Sequence, residues 1–354
     1  MPAVAAEDDR EHQPEGEVWV GVRIEGTESV ERPRVIREAL LAAGARIQEP
    51  DSHPDSEITA VHDPALLSWM ETAHRDWLEA GLDRDPGQDR VVPYIFPHPG
   101  LLDGPDPFEP VAASARAGFW CYDTMTLIGP GTWQAARAAA DVALTAAGLV
   151  GSGEAAAYAL CRPPGHHATR DAIGGSCYLN NAAIAARHLA GPGAVGVLDI
   201  DAHHGNGTQS IFYEDPGVLT ASVHVDPAEG WFPHFLGFES ERGRAEGEGS
   251  NRNRTLAPGS ADGEWLEAIE SQLAWLTQGG IRYLVVALGL DAAAGDPEGP
   301  FAVSVDGYRE AGRLIGAAGI PTVFVQEGGY DLETLGELVT VTLAGFEDGL
   351  NSDS

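Results

Sequence analysis

The amino-acid sequence predicts an α/β protein organised around a parallel β-sheet. Short apolar runs bounded by turn residues alternate with amphipathic or Ala-rich segments to the end of the 354-residue chain. The runs are apolar at successive positions, as expected of strands that are covered on both faces. Polar side chains directly follow several of these runs, at the sheet edge where α/β proteins place their ligand sites.

Each element is predicted by its local pattern. The apolar runs predict strands at residues 18–24, 157–161, 194–198, 219–225, 283–290 and 322–326. Periodic or Ala-rich stretches predict helices at residues 32–43, 132–147, 180–189, 262–276, 307–318 and 332–345. Thr132 is a candidate N-cap, and Gly44 and Gly148 are candidate helix ends. Residues 83–111 and 226–260 predict long surface loops of the kind that shape the mouth of a site.

The domain organisation follows from the absence of a linker. No linker-like break interrupts the alternation of strands and helices, so residues 17–354 are expected to form one domain. Residues 1–16 are polar and acidic, and we expect them to be disordered.

The charge is strongly acidic, with 54 Asp and Glu against 21 basic residues, all of them Arg. Such a surface repels nucleic acid and anionic membranes and favours cationic ligands. Adaptation to solubility in a salty habitat explains the same composition, and the sequence leaves both explanations open.

The cysteines and the hydropathy profile bear on the compartment. Cys121, Cys161 and Cys177 form no Cys-x-x-Cys pair, which favours a reducing compartment. No signal peptide and no apolar run of membrane-spanning length is apparent. We therefore expect a cytoplasmic protein.

The richest stretch for chemistry is residues 199–207, which follow the strand at 194–198. Because side chains alternate along a strand, Asp199, Asp201 and His203 are expected to point to one side at its carboxyl end. A carboxylate and an imidazole on one face can hold a small divalent ion. The alternative is a solvated loop, but two carboxylates and two imidazoles are costly to bring together without a role.

Polar residues at other strand ends complete a catalytic set. Asp291 follows the strand at 283–290 and supplies a third zinc ligand, although a single Asp after a strand is weak evidence. His166 and His167 sit on a Pro-stiffened loop and are candidates for general acid–base catalysis. Asp199 is placed to fix the tautomer of one imidazole, and Tyr330 to bind a developing oxyanion. The combination predicts metal-assisted hydrolysis of an amide.

These motifs resemble the histone deacetylase superfamily and, within it, the bacterial acetylpolyamine amidohydrolases. The resemblance extends from about residue 18 to the end. It is carried by RPPGHH at 162–167, GGSCYLNNAA at 174–183, DIDAHHGNGTQSIFYED at 199–215, DPAEGWFPHFLG at 226–237, LGLDAAAGDP at 288–297 and EGGY at 327–330. It implies an arginase-like, three-layer α/β/α fold with a central parallel sheet.

The resemblance also implies roles for residues. Asp201, His203 and Asp291 correspond to the ligands of one catalytic zinc ion. His167 corresponds to the general base and acid, His166 to its electrostatic helper and Tyr330 to the residue that polarises the carbonyl. A structural potassium ion is implied near Asp199, Asp201, His203, Ser222 and Val223. Asn206 stands where some relatives have an Asp behind the second His, so the pKa of His167 should be raised less.

Departures from the family pattern concern the substrate. Ser176, next to Gly175, stands where the family usually has an aromatic wall opposite Phe232. Ser114 and Met125 stand where the polyamine enzymes have acidic residues. Glu298 matches a gatekeeper carboxylate of a related polyamine deacetylase and would favour a cationic substrate, although an ordinary solvated Glu explains it equally well. We take Gly175, Ser176, Phe232 and Glu298 as candidate substrate-binding residues.

The leading hypothesis is a zinc deacetylase that acts on a small, cationic acetylated amine, most of all an acetylpolyamine. A deacetylase of protein acetyl-lysine and an amidohydrolase of another acylated metabolite remain alternatives. A two-manganese ureohydrolase would need an Asp at position 205, where the chain has Gly205. A silent binding module would be expected to lack Tyr330 or a metal ligand. We also expect a homo-oligomer, either a dimer or a tetramer.

Overall fold

Eight strands form one parallel sheet in the computed structural model, which describes residues 1–7, 12–102, 104, 106–191 and 193–352. The strands are β1 (Pro2–Ala5), β4 (Arg46–Gln48), β5 (Ala156–Leu160), β6 (Val195–Asp199), β7 (Val218–Val225), β8 (Asn251–Leu256), β9 (Tyr283–Leu288) and β10 (Thr322–Gln326). Their order is β4-β1-β5-β10-β9-β6-β7-β8. The sheet therefore places β5, β10, β9 and β6 next to one another at its centre.

Helices cover both faces of this sheet. They are α1 (Glu31–Ala42), α2 (Asp55–Thr59), α3 (Pro64–Glu79), α4 (Pro99–Leu102), α5 (Ala113–Trp120), α6 (Thr132–Gly151), α7 (Asn181–Leu189), α8 (Asn206–Phe212), α9 (Asp262–Gln278), α10 (Val305–Ala317) and α11 (Leu335–Asn351). One hydrophobic core packs α3, α6 and α7 on one face, and a second packs α1, α9, α10 and α11 on the other. Val197 belongs to the first core and Leu198 to the second, because successive side chains of β6 point to opposite faces. The predicted three-layer α/β/α architecture is confirmed.

The prediction for the N-terminus is wrong. Residues 2–5, expected to be disordered, form β1, which pairs with β4 on one side and β5 on the other. The run is too short and too rich in Ala to be distinguished from a tail by its pattern. Its stability comes from burial, since Ala3, Val4 and Ala5 are enclosed by the flanking helices and strands. Residues 8–11 lie outside the described residues.

The stretch at residues 18–24 is a hairpin and not a strand of the main sheet. Strands β2 (Glu17–Trp19) and β3 (Val22–Ile24) pair in antiparallel fashion as a separate two-stranded sheet. Val20 and Gly21 both have positive φ, at 49° and 80°, which gives the turn the twist that tight hairpins favour. This hairpin brings residues from the N-terminal part of the chain to the functional site.

Smaller differences have clear local causes. Thr132 is the first residue of α6 and not its cap, because Gly131 before it has a left-handed φ of 75°. The hydroxyl of Thr132 accepts a hydrogen bond from the Gly129 N–H instead. Gly148 lies within α6, which continues to Gly151. The predicted loop at 226–260 contains the polar edge strand β8, whose Asn and Arg residues gave no apolar signal.

Within the described ranges, none of the helices has the length and apolarity that a membrane crossing needs.

Candidate active site

Two carboxylates and one imidazole meet at the carboxyl ends of β6 and β9. One ligand atom each from Asp201, His203 and Asp291 lies within 4.8 Å of the others. His203 Nδ1 is 3.0 Å from Asp291 Oδ2 and 3.4 Å from Asp201 Oδ1. Both carboxylates are buried. We call these three residues the metal cluster.

Backbone hydrogen bonds fix the two carboxylates of the metal cluster. Asp201 Oδ1 accepts the N–H of His203 at 2.9 Å, and its Oδ2 accepts the N–H of Gly328 at 2.9 Å. Asp291 Oδ1 accepts the N–H of Ala202 at 2.9 Å. These bonds span β6, β9 and the loop after β10, so the sheet itself positions the donor atoms.

Electrostatic interactions within the metal cluster favour a positive charge at its centre. Burial opposes a charge on His203, but its hydrogen bonds to Asp201 and Asp291 outweigh burial and raise its pKa to about 10. Burial and the neighbouring Asp201 raise the pKa of Asp291 to about 7. The buried carboxylates of Asp201 and Asp291 thus favour the protonated form of His203, whose Nδ1 lies close to both. This oxygen and nitrogen donor set fits a catalytic zinc ion, which would replace that proton.

Two adjacent imidazoles lie beside the metal cluster and have opposite electrostatic environments. His166 Nδ1 lies 2.9 Å from Asp199 Oδ2, and His167 Nδ1 lies 2.7 Å from Asn206 Oδ1. Burial opposes a charge on His166, but Asp201 and Asp199 hold its pKa well above the usual value. Burial and the neighbouring His166 push the pKa of His167 well below it. The pair therefore combines one cationic and one neutral imidazole, the latter free to accept a proton.

The phenol of Tyr330 faces the same space from the loop after β10. Arg32 holds this loop, because its guanidinium donates to the carbonyl oxygens of Glu327 and Gly329, both at 2.6 Å. The same guanidinium lies 4.7 Å from the centre of the Tyr330 ring. The backbone N–H of Tyr330 donates to Asp296 Oδ2 at 2.7 Å. Burial holds the pKa of the phenol well above 10, so it remains a hydrogen-bond donor.

Comparisons with known proteins identify this arrangement. Residues 26–346 match the histone deacetylase domain. The chain is 42% identical over 306 residues to an acetylpolyamine amidohydrolase of Burkholderia pseudomallei, with 86% of each chain covered. It is 37% identical over 348 residues to an acetylpolyamine amidohydrolase of Mycoplana ramosa, covering 98% of this chain and 99% of the relative. A crystal structure of acetylpolyamine aminohydrolase from Burkholderia pseudomallei superposes with a TM-score of 0.91 at 39% identity, with 99% of each chain covered.

The chain belongs to the histone deacetylase family. It is accordingly a hydrolytic deacetylase, and membership of the family implies zinc-dependent catalysis. The predicted hydrolytic deacetylase activity is thereby confirmed, as is the predicted family.

This deacetylase has a cavity of about 310 Å³ above the metal cluster. Its walls include the sequence-predicted residues His167, Gly175, Ser176, His203, Phe232, Glu298 and Tyr330. Phe232 packs edge-to-face on His167, with ring centres 4.8 Å apart. Ser176, at a positive φ of 58°, lines the cavity with a small side chain that has no aromatic ring. Met125 also lines the cavity, whereas Ser114 lies on α5 and is not among the lining residues.

Glu17 and Glu298 are acidic residues that line the cavity, and we call this pair the acidic rim. Thr27 donates a hydrogen bond to Glu298 Oε1 at 3.1 Å. Burial, followed by repulsion from Glu298 and Asp123, raises the pKa of Glu17 to about 7. A third acid, Glu28, accepts two hydrogen bonds from the guanidinium group of Arg162, from Nε to its Oε1 at 2.8 Å and from Nη2 to its Oε2 at 2.9 Å. In the part of the chain that the structure describes, the two rim carboxylates form no ion pair.

Sequence reasoning missed several of these residues. Glu17 gave no signal, because a Glu at the start of a strand is unremarkable until the hairpin brings it to the cavity. Arg32 looked like an ordinary helical residue. Glu327 and Asp296 stood inside the EGGY and LGLDAAAGDP motifs and could have been singled out there. Glu327 joins two catalytic loops, because its Oε2 accepts the N–H groups of Gly165 and His166 at 2.7 and 3.1 Å.

Proposed function

We propose that this deacetylase hydrolyses the amide of small N-acetylated polyamines. The observation that carries the proposal is the acidic rim, in which Glu17 and Glu298 line the cavity of a deacetylase site without a cationic partner among the described residues. A polyamine is a chain of ammonium groups that such carboxylates attract in a partly dry cavity. The names of the Burkholderia and Mycoplana relatives agree with this choice.

The proposed mechanism divides the work among the predicted residues. Zinc bound by Asp201, His203 and Asp291 would supply a Lewis acid that polarises the amide carbonyl and makes the attacking water more acidic. His167, which is neutral, takes the proton of the attacking water and returns one to the departing amine. His166 remains charged through Asp199 and stabilises the negative charge that develops.

Tyr330 completes the proposed set by donating its phenolic O–H to the developing oxyanion. Asn206 holds His167 in the tautomer whose Nδ1 carries the hydrogen, which leaves Nε2 to accept a proton. Water adds to the carbonyl carbon and the carbon–nitrogen bond breaks, giving acetate and the amine in its ammonium form, which carries both protons of the water. Every proton in this sequence moves between water, His167 and the leaving nitrogen.

Ser176 bears on the width of the site. Gly175 and Ser176 line the cavity without an aromatic ring and would leave space beside the substrate chain. We propose that Gly175, Ser176, Phe232 and Glu298 contact the substrate. The open wall admits a bent polyamine whose inner ammonium group turns towards Glu17.

A structural potassium ion is also part of the proposal. Asp199 and Ser222 are partners in the register of β6 and β7, and both line a small buried cavity. Burial raises the pKa of Asp199, although His166 opposes the rise, which shows that the carboxylate is poorly solvated there. Oxygen atoms around Asp199 would suit a monovalent cation. Potassium-dependent activity at constant ionic strength would support this site.

The assembly and the compartment are proposed from surface and thiol chemistry. Phe108, Val111 and Phe235 are 94%, 98% and 88% exposed, and a partner surface would remove this apolar area from water. A homo-oligomer, a dimer or a tetramer, would cover these side chains. All three cysteines are buried free thiols, consistent with the reducing cytoplasm.

A substrate panel tests the proposed function. It comprises acetylputrescine, acetylcadaverine, the acetylspermidine isomers, an acetyl-lysine peptide and a neutral acetamide of matched length, each assayed at two salt concentrations. We expect the acetylated polyamines to have the highest kcat/KM, with a preference that high salt weakens only in part, since a short contact is screened less than a distant field. A preference for the peptide or for the neutral amide would contradict the proposal.

A further inference from the structure

A second cluster of possible metal ligands lies next to the metal cluster and shares no residue with it. One ligand atom each from His166, Cys177 and Glu327 lies within 4.8 Å of the others, and all three side chains are buried. His166 belongs to the loop after β5, Cys177 to the Gly175–Ser176 loop and Glu327 to the loop after β10. The three donor atoms therefore come from segments that the sheet holds in place.

Each of these side chains has a ligand atom to spare. His166 uses Nδ1 to contact Asp199, which leaves Nε2. Glu327 uses Oε2 for two backbone N–H groups, while its Oε1 is buried and has no hydrogen-bond partner. Cys177 is a free thiol. A buried carboxylate oxygen without a partner is costly, so its presence at this point calls for an explanation.

We propose that His166, Cys177 and Glu327 form a second zinc site whose occupation inhibits the enzyme. Imidazole nitrogen, thiolate sulfur and carboxylate oxygen are all zinc ligands, and the sulfur selects zinc over magnesium or calcium. Binding forms zinc–sulfur and zinc–nitrogen bonds and releases both the Cys177 thiol proton and the Nε2 proton of His166 to solvent. The ion would also give the unpartnered Glu327 Oε1 a ligand.

Inhibition follows from the position of His166. Its Nε2 lies 3.8 Å from Asp201 Oδ1 and its ring centre 4.0 Å from that of His167. A divalent ion on Nε2 removes the hydrogen that His166 presents to the reacting centre and places two positive charges beside the proposed base. The inhibitory part rests on the proposed function, whereas the binding part does not.

Cobalt provides a readout that is independent of activity. The metal cluster has only oxygen and nitrogen donors, so cobalt bound there gives no charge-transfer absorption from sulfur. The metal-free full-length protein is titrated with Co²⁺, and bound metal is counted in parallel. We expect two bound ions per chain and a thiolate-to-cobalt band in the near ultraviolet that accompanies one of them.

Three variants locate the sulfur and the carboxylate. Cys177→Ser should abolish the band and leave one bound ion. Glu327→Gln keeps an oxygen that can accept the Gly165 and His166 N–H groups but loses the charge, and should weaken the second site by about tenfold or more. Cys161→Ser is the matched control, since Cys161 is another buried thiol whose Sγ contacts the Ala139 carbonyl. The Cys161→Ser protein should keep the thiolate-to-cobalt band, because that band comes from Cys177.

The inhibitory part of the proposal is tested by measuring deacetylase activity while zinc is added beyond one ion per chain. Wild type and Cys161→Ser should lose activity, and Glu327→Gln should need at least about tenfold more zinc for the same fractional loss. A wild-type protein that binds one ion without a sulfur band overturns the proposal, as does a Cys177→Ser protein that keeps the band. If the substrate panel fails but the band appears and depends on Cys177, the second site stands and only the proposed substrate falls.

Discussion

The metal cluster and the acidic rim lie in one cavity but are held in different ways. Asp201, His203 and Asp291 follow strands at the centre of the sheet, and backbone N–H groups from neighbouring strands and loops bind their carboxylates. Glu17 stands on a separate two-stranded hairpin, and Glu298 on a loop where the Thr27 hydroxyl contacts it. The first region is fixed by the core, and the second by elements that lie on the surface of the domain.

This difference separates the residues that carry out the reaction from the residues that determine which substrate binds. A residue held by the sheet cannot change without disturbing the reaction, whereas a residue on a hairpin or a loop can change while the metal and the acid–base pair stay in place. Substitutions in the two regions should therefore affect different observables. Metal content and the chemical step report on the metal cluster, and the ratio of kcat/KM between cationic and neutral substrates reports on the acidic rim.

The largest expected effect is that of Asp291→Ala. Removing this carboxylate leaves two ligands, so the zinc occupancy after dialysis should fall well below that of the wild type. Activity should fall by roughly a thousandfold, because the metal contributes several kcal/mol to the stabilisation of the transition state. Metal analysis and kcat/KM on acetylputrescine measure both quantities. A variant with full zinc content would remove Asp291 from the ligand set.

Tyr330→Phe should lower kcat by about two to three orders of magnitude, the usual loss for one oxyanion donor. The ring remains, so its contact with Arg32 and the zinc content should be retained. Tyr308→Phe is a matched control, since the Tyr308 hydroxyl is buried, donates to the Gly289 carbonyl 3.4 Å away and does not line the cavity. Unchanged turnover in Tyr330→Phe would refute the assigned role.

Substitutions in the acidic rim should change the substrate preference and leave the metal content and the chemical step unchanged. Glu17→Gln and Glu298→Gln are each expected to lower the preference for acetylpolyamines over a neutral acetamide by roughly tenfold, or about 1.4 kcal/mol. Zinc content and turnover of the neutral amide should stay the same, since neither residue touches the metal cluster. Glu25→Gln provides a control on the same segment, because Glu25 is exposed and does not line the cavity. A loss of activity on the neutral amide would show that the two regions are not separable.

The rim should also give the substrate preference a pH dependence. Burial and the neighbouring acids raise the pKa of Glu17 to about 7, so the charge that attracts a polyamine is present above that pH and is lost as the pH falls through it. The KM for acetylpolyamines should rise below about pH 7, and this rise should be absent in Glu17→Gln. The KM of the neutral acetamide serves as the reference over the same range.

The same contrast explains what the sequence could predict. Asp201, His203 and Asp291 were found because a strand and the polar residue after it are adjacent in the chain, and parallel strands bring their carboxyl ends together. Glu17 could not be found, because it reaches the cavity only through the fold of the hairpin. Strand β1 was not predicted for a related reason. Its four residues are stabilised by pairing with β4 and β5, which are distant from it in sequence.

Asn206 belongs to neither region, since it contacts His167 and Tyr122, and its substitution should give the smallest effect. Its Oδ1 contacts His167 Nδ1 at 2.7 Å, and its Nδ2 donates to the Tyr122 hydroxyl at 3.2 Å. His167 must be neutral to accept a proton, and burial together with His166 holds its pKa well below the usual value. Asn206→Asp places a negative charge against the imidazole and should raise that pKa.

The acid limb of kcat/KM for Asn206→Asp should therefore move to higher pH, and the rate at acidic pH should fall while the plateau and the zinc content are retained. The limb should move equally for a cationic and a neutral substrate, because His167 acts on the reaction and not on selection. A shift for the polyamine alone would mean that the new carboxylate acts through the substrate charge. No shift would show that Asn206 does not control the protonation of His167.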